Sequence, residues 1–185
     1  MSYKRLGFSF IIFFIAIYIT LATAYAQVAS STASEQPAPT SISYQLPYPG
    51  MLPDNPLYFL KALRDKLTVF FLSKPLDKAS FSLLQSDKDV EASYLLVTQE
   101  AGKTTLAVTT FSQGQDNFED AINQTAAAKK QGYSITEISK KLLAANQKHI
   151  QILHALGQQI GKNDAQTFQT ENERASTFTK QIKAL

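Results

Sequence analysis

The chain contains no cysteine, and only two histidines and seven glycines among 185 residues. Without cysteine, disulfide bonds, thiolate metal sites, cysteine nucleophiles and lipid attachment at a lipobox are all excluded. An ordinary apolar core must therefore hold the domain together, and about 140 residues can supply one. The histidines, His149 and His154, are five residues apart and point about 140° apart on a helix, so they cannot share a metal as an i, i+4 pair. His149 falls on an apolar helix face, which predicts a core-edge histidine bonded to a neighbouring helix.

The first 26 residues have the pattern of a secretory signal peptide. Lys4 and Arg5 precede an uncharged run from Leu6 to Ala24. The cleavage site is predicted at the small residues that follow: Ala24, Ala26 and Gln27. An uncleaved membrane anchor is the alternative, because about 19 apolar residues can just span a bilayer. Both readings predict that the remainder of the chain is extracytoplasmic, either secreted or membrane-anchored and facing outside.

The net positive charge of the chain is small once this segment is set aside. Without Lys4 and Arg5 the 18 basic residues fall to 16 against 15 acidic ones, a net charge of +1. This balance does not favour nucleic acid as a partner, and membrane contact is expected only through an uncleaved N-terminal segment. Residues 27–43 are mostly Ser, Thr, Ala and Pro with one charge, Glu35, so we expect a flexible spacer.

After Pro56 almost the whole sequence has helical periodicity. The predicted fold is all-α: an antiparallel up-down bundle of about four long helices plus a shorter N-terminal helix, forming one domain over residues 44–185. Glycines are expected just past three helix ends: Gly102, Gly132 and Gly161. The predicted helices cover about 56–72, 75–101, 104–131, 135–160 and 165–184.

Apolar stripes predict which faces are buried. The clearest has the spacing of a coiled-coil seam in the fourth helix: Ile135, Ile138, Leu142, Ala145, His149, Ile152, Leu156 and Ile160. The fifth helix has a weaker stripe of the same kind: Phe168, Ala175, Phe178, Ile182 and Leu185. The third helix has a stripe of small residues around Gly114, which either lets a neighbouring helix approach closely or is a tolerated defect. The first helix has one apolar side, for which we expect core packing, with an interfacial membrane helix as the alternative: Leu57, Leu60, Leu63, Leu67, Phe70 and Phe71.

Two acidic clusters have carboxylates close enough together to suggest metal sites. Asp87, Asp89 and Glu91 have the spacing that opens a calcium loop, but Ala92 and Thr98 replace the glycine and glutamate that such a loop needs. A solvated charged helix face is expected there. A second solvated face is expected at Asp116, Glu119 and Asp120, with weak divalent-metal binding as the alternative. No catalytic constellation, cofactor site or metal site is predicted.

Residues 44–56 contain four of the seven prolines. Tyr48-Pro49-Gly50-Met51 suits a type II turn, with proline second and glycine third. Because proline lowers the entropy lost on ordering, the segment is predicted to be a stiff collar that joins the spacer to the first helix.

Four stretches between Tyr44 and Leu156 are distinctive: LPYPGMLPDNPLYFLKALRDKL, FSLLQSDKDVEASYLL, GKTTLAVTTFSQGQDNFEDAI and KKLLAANQKHIQIL. Together they resemble a family of uncharacterised exported bacterial domains from candidate-phylum genomes, with the motif LPYPGxLPDxPLYFLKxxRD. The resemblance implies export and a helical fold, and it implies no activity. The motif positions in this chain are Leu46, Pro47, Tyr48, Pro49, Gly50, Leu52, Pro53, Asp54, Pro56, Leu57, Tyr58, Lys61, Arg64 and Asp65.

These observations predict an exported, non-enzymatic helical domain that mediates protein or cell-envelope interaction. The alternatives are a periplasmic-type chaperone or stress-sensing helical protein, which requires an exposed apolar concave face, and a weak divalent-metal binder.

Overall fold

The computed structural model describes residues 44–99, 103–159 and 164–185, which contain five helices and no strand. The helices begin and end close to the predicted positions: α1 Tyr58–Phe71, α2 Pro75–Gln99, α3 Thr104–Lys130, α4 Thr136–Gly157 and α5 Ala165–Ala184. The predicted signal segment 1–26 and spacer 27–43 lie outside the described residues, as do Gly102 and Gly161. Within the described ranges, no helix combines the length and apolarity needed to cross a bilayer.

Helices α2 to α5 pack around two apolar clusters, in which most of the predicted faces of α3, α4 and α5 are buried. One cluster joins all four helices and includes Leu83, Phe118, Leu142, Phe178 and Ile182. A second cluster lies along α2, α3 and α4 and contains Val90, Phe111, Ile152, Leu153 and Leu156. The prediction of an all-helical domain with a packed core is therefore confirmed.

At Gly114, helices α2 and α3 pack closely against each other. A β-carbon added there would lie 3.1 Å from Val90 Cγ2 and 3.2 Å from the Ser86 carbonyl oxygen. Because one of these contacts is backbone, a larger side chain would push the two helices apart. The glycine thus serves close helix packing, the first of the two interpretations predicted for it.

The collar is ordered against the bundle. Gly50 has a φ of +75°, as the third position of a type II turn requires, and Pro49 is buried. Asp54 forms an ion pair of 2.8 Å with Lys103 at the start of α3. The Tyr44 hydroxyl donates a 2.5 Å hydrogen bond to Asp87 Oδ2 in α2. The collar is therefore attached to the bundle at both of its ends.

The expectation of core packing for α1 is wrong. None of the 14 described residues of α1 is buried. Its large apolar side chains point away from the bundle, whereas Lys61 and Asp65 point toward it. The physical reason is a charged partner, Asp89, on the surface against which α1 packs.

Replacing Tyr44 with phenylalanine is expected to lower the free energy of unfolding by about 1–3 kcal/mol, because a buried carboxylate oxygen loses its donor. Urea denaturation followed by circular dichroism measures the change. Tyr48→Phe is the matched control, since the Tyr48 side chain is 80 % exposed and its substitution should change stability by no more than about 0.5 kcal/mol. Equal stability of the two variants would contradict attachment of the collar through Tyr44.

Candidate functional site

The side of α1 that faces solvent is almost entirely apolar. Six large side chains lie within an arc of about 120° at 100° per residue. We call them the outer face: Phe59, Leu60, Leu63, Leu67, Phe70 and Phe71. Their exposed fractions range from 50 % for Leu60 to 81 % for Phe70. Phe70 and Phe71 contact each other edge to face, with ring centroids 5.5 Å apart. This is a contiguous apolar surface in contact with water.

The opposite side of α1 lines a groove of about 310 Å³ between α1, α2 and α3. Helix α1 contributes a mixture of apolar and charged groups: Tyr58, Lys61, Ala62, Asp65, Lys66 and Val69. Helices α2 and α3 contribute mainly amide and carboxylate groups: Phe81, Gln85, Asp89, Gln113 and Asn117. The groove thus combines apolar walls with charged and amide groups from three helices.

An ion pair crosses this groove. Lys61 Nζ lies 3.7 Å from Asp89 Oδ1, and the two side chains are only 9 % and 6 % exposed. Asn117 Nδ2 in α3 donates a 2.8 Å hydrogen bond to the other carboxylate oxygen of Asp89. The Lys61 ammonium also lies 4.9 Å from the centroid of the Tyr58 ring, within the range of a cation–π contact. Asp89 therefore links three helices.

Burial has the largest effect on the pKa of the Asp89 carboxyl group. It raises the pKa of Asp89 from 3.8 to about 6, although Lys61 and the hydrogen bond from Asn117 both favour the ionised form. Burial, with the negative charges of Asp89 and Asp65, raises the pKa of the Tyr58 hydroxyl to about 12. At neutral pH the groove therefore contains an ionised carboxylate, a lysine and a neutral phenol.

This pairing explains why the amphipathic helix is inverted. Lys61 lies about 140° from the middle of the outer face, on the opposite half of α1. An unpaired buried Asp89 carboxylate would be strongly unfavourable, so the helix turns Lys61 toward it. The apolar side chains on the opposite half are then left in solvent.

Residues 50–163, more than half of the chain, match the family described as Domain of unknown function (DUF5667). The chain belongs to the DUF5667 family. No curated protein and no solved structure matches it. The DUF5667 region includes α1 to α4 with Lys61, Asp89 and Asn117, so the groove and the outer face both belong to it. Helix α5 follows the matched region and supplies Phe178 and Ile182 to the core.

The expectation of a solvated face at Asp87, Asp89 and Glu91 is wrong for both aspartates, each of which is 4 % exposed. Two residues apart on a helix, they point about 160° away from each other. Asp87 contacts Tyr44 and His149, whereas Asp89 contacts Lys61 and Asn117. They do not converge on a common point, as ligands of one calcium ion would.

The second acidic cluster is organised around an arginine. Arg174 Nη2 in α5 lies 2.7 Å from Asp116 and 3.1 Å from Glu119. Asp120 instead accepts a 2.6 Å hydrogen bond from the hydroxyl of Ser82. Among the described residues no group of three His, Cys, Asp or Glu side chains could hold a metal ion.

His149 is fully buried and bonded to a neighbouring helix, as predicted. Its Nε2 lies 2.8 Å from Asp87 Oδ1, and its ring packs edge-on against Phe118 at 5.1 Å. Together with Tyr44 it forms a buried Tyr–Asp–His network that joins the collar, α2 and α4. This network is a structural connection within the bundle.

The Lys61–Asp89 pair was not predicted. One feature of the sequence points toward this pair: Lys61 and Asp65 lie four residues apart on the side of the first helix opposite its leucines. Such charges are usually solvated, so periodicity alone assigns them to the outside. Lys61 faces the bundle instead, because Asp89 on α2 lies where the Lys61 ammonium can reach it.

Asp89→Asn is expected to change the pH dependence of stability. The folded protein binds a proton at Asp89 more tightly than the unfolded chain, so the destabilisation by the ionised form is absent below about pH 4 and complete above about pH 7. Relative to the variant, the wild type should lose about 3 kcal/mol of unfolding free energy as the pH rises through this window. Urea denaturation of both proteins at several pH values measures the difference.

Asp77→Asn is the control for this comparison, because Asp77 is an exposed carboxylate in the first turn of α2. Its stability curve should run parallel to that of the wild type between pH 4 and 7.5. If the Asp89→Asn curve is also parallel to the wild type, Asp89 is not the desolvated carboxylate described above.

Proposed function

We propose that this DUF5667 domain is exported, acts by binding rather than catalysis, and docks on a component of the cell envelope through the outer face of α1. The outer face itself carries the proposal. Its six large apolar side chains are each at least half exposed, and they are adjacent on one helix. Contiguous apolar surfaces of this size on soluble domains usually mark interaction sites.

Leaving the outer face in water is energetically unfavourable. Burying apolar area stabilises by about 25 cal/mol per Å², and each aromatic ring offers on the order of 100 Å² or more. The domain does not use this surface for its own folding, because the Lys61–Asp89 pair holds the opposite side of α1 against the bundle. Burial of the outer face by a partner would therefore stabilise the complex with that partner.

Export is proposed from the basic start, apolar run and small-residue site within residues 1–26. Residues 27–43 then separate this segment from the collar. We further propose the antiparallel up-down order for the bundle, since short connections join helices of similar length.

A binding role is also supported by how the buried ionisable groups are used. Asp87 contacts Tyr44 and His149, and Asp89 contacts Lys61 and Asn117. These side chains connect helices and the collar. The outer face also favours docking over a chaperone activity, because a single helix presents a convex surface and a client-holding protein needs a concave one.

The double variant Leu63→Gln/Leu67→Gln tests the proposal. Both side chains are about half exposed, so unfolding free energy should change by no more than about 0.5 kcal/mol for each. Binding to isolated, protein-containing envelope fractions should fall about tenfold or more, as measured by cosedimentation of the full chain. Tyr133→Gln, at an exposed aromatic between α3 and α4, is the control and should bind as the wild type does. Undiminished binding of the double variant would contradict docking through the outer face.

A further inference from the structure

We propose that the partner of the outer face is the lipid surface of an anionic bilayer, into which α1 inserts as an interfacial helix. This inference rests on the proposed function and names the component that the domain binds. It follows from the charges that border the outer face, from the collar beside it and from the chain that precedes the collar.

Basic side chains border the outer face on both edges. Arg64 and Lys66 each lie about 80° from its centre, on opposite sides. The Arg64 side chain is 64 % exposed, and Lys66 is also exposed. This arrangement lets long side chains reach lipid phosphates while the apolar groups between them enter the acyl region.

Negative charge is directed away from this surface. The one carboxylate of α1, Asp65, is 16 % exposed, lines the groove and accepts two hydrogen bonds from the guanidinium of Arg64. The outer face with its edges is thus apolar and positive, which complements the negative phosphates of an anionic bilayer.

The collar extends the same surface. Tyr48 is 80 % exposed and Met51 is 37 % exposed. Both line a groove with Leu60, Arg64 and Lys88. Tyrosine is favoured at the membrane interface, because its ring is apolar and its hydroxyl remains hydrated.

The charges also argue against a second copy of the chain as occupant. Arg64 and Lys66 lie at the middle of α1, so pairing two outer faces in either orientation brings these basic groups together. Like charges placed opposite one another disfavour such an interface. A bilayer presents the opposite sign.

The preceding chain provides a tether. The apolar run, residues 6–24, is followed by 19 residues, including the 17 of the spacer 27–43, before the collar begins at Tyr44. An apolar run that stays in the bilayer tethers the following domain to the same membrane, which favours binding by a short helix.

The experiment uses the absence of cysteine, which permits labelling at one introduced thiol. The full chain carrying Leu67→Cys, at the middle of the outer face, is labelled with an environment-sensitive fluorophore. It is then reconstituted into vesicles of phosphatidylcholine with about 30 % phosphatidylglycerol, with and without nitroxide lipids as quenchers. Gln147→Cys, exposed on α4, is the matched control. Circular dichroism verifies that both labelled proteins are folded.

Quenching at position 67 is expected to exceed that at position 147 by about threefold or more, and to weaken in Arg64→Gln/Lys66→Gln and in vesicles without phosphatidylglycerol. Equal, weak quenching at both positions would overturn the proposal. Shielding of position 67 that occurs only in protein-containing envelope vesicles, without quenching by nitroxide lipids, would indicate a protein partner. That result overturns the lipid assignment and leaves the proposed docking role intact, whereas an unshielded position 67 in both vesicle types contradicts both.

Discussion

The contact between Lys61 and Asp89 determines what this domain presents to its surroundings. An ionised carboxylate is buried on α2, with a pKa raised to about 6, and it requires a nearby positive charge. Lys61 supplies that charge only when α1 lies with its polar side inward. The outer face is therefore exposed because of an electrostatic requirement on the other side of the same helix.

Helix α2 is the element through which the collar, α1 and the bundle are joined. The side chains of Asp87 and Asp89 point to opposite sides of α2. Asp87 contacts Tyr44 and His149, whereas Asp89 contacts Lys61 and Asn117. Gly114 on α3 lets α2 and α3 pack closely. Apolar packing holds α2 to α5 together, whereas buried polar contacts attach the collar and α1. The domain thus has a rigid apolar core and a separate, polar attachment for its candidate docking helix.

The sequence predicted the five helices to within about three residues at each described end, and it predicted the buried stripes of α3, α4 and α5. These features follow from periodicity, because each face of a helix is defined by residues three and four apart. The same rule was wrong for α1, where the more apolar side faces water. It was also wrong for Asp87 and Asp89, because charged residues are assigned to solvent unless their partners are known. Those partners are 62 residues away for Asp87, in His149, and on two other helices for Asp89.

By itself, then, the sequence determined where the helices begin and end, which three of them bury an apolar stripe, and where the turn at Gly50 and the collar lie. Local interactions decide these features, since turn geometry and helical periodicity depend on neighbouring residues. Tertiary structure alone decided the orientation of α1 and the burial of the two aspartates. Both depend on charges that are distant in sequence and close in space, and no local pattern records which distant groups will meet. The surface proposed to dock on the envelope is a consequence of that meeting.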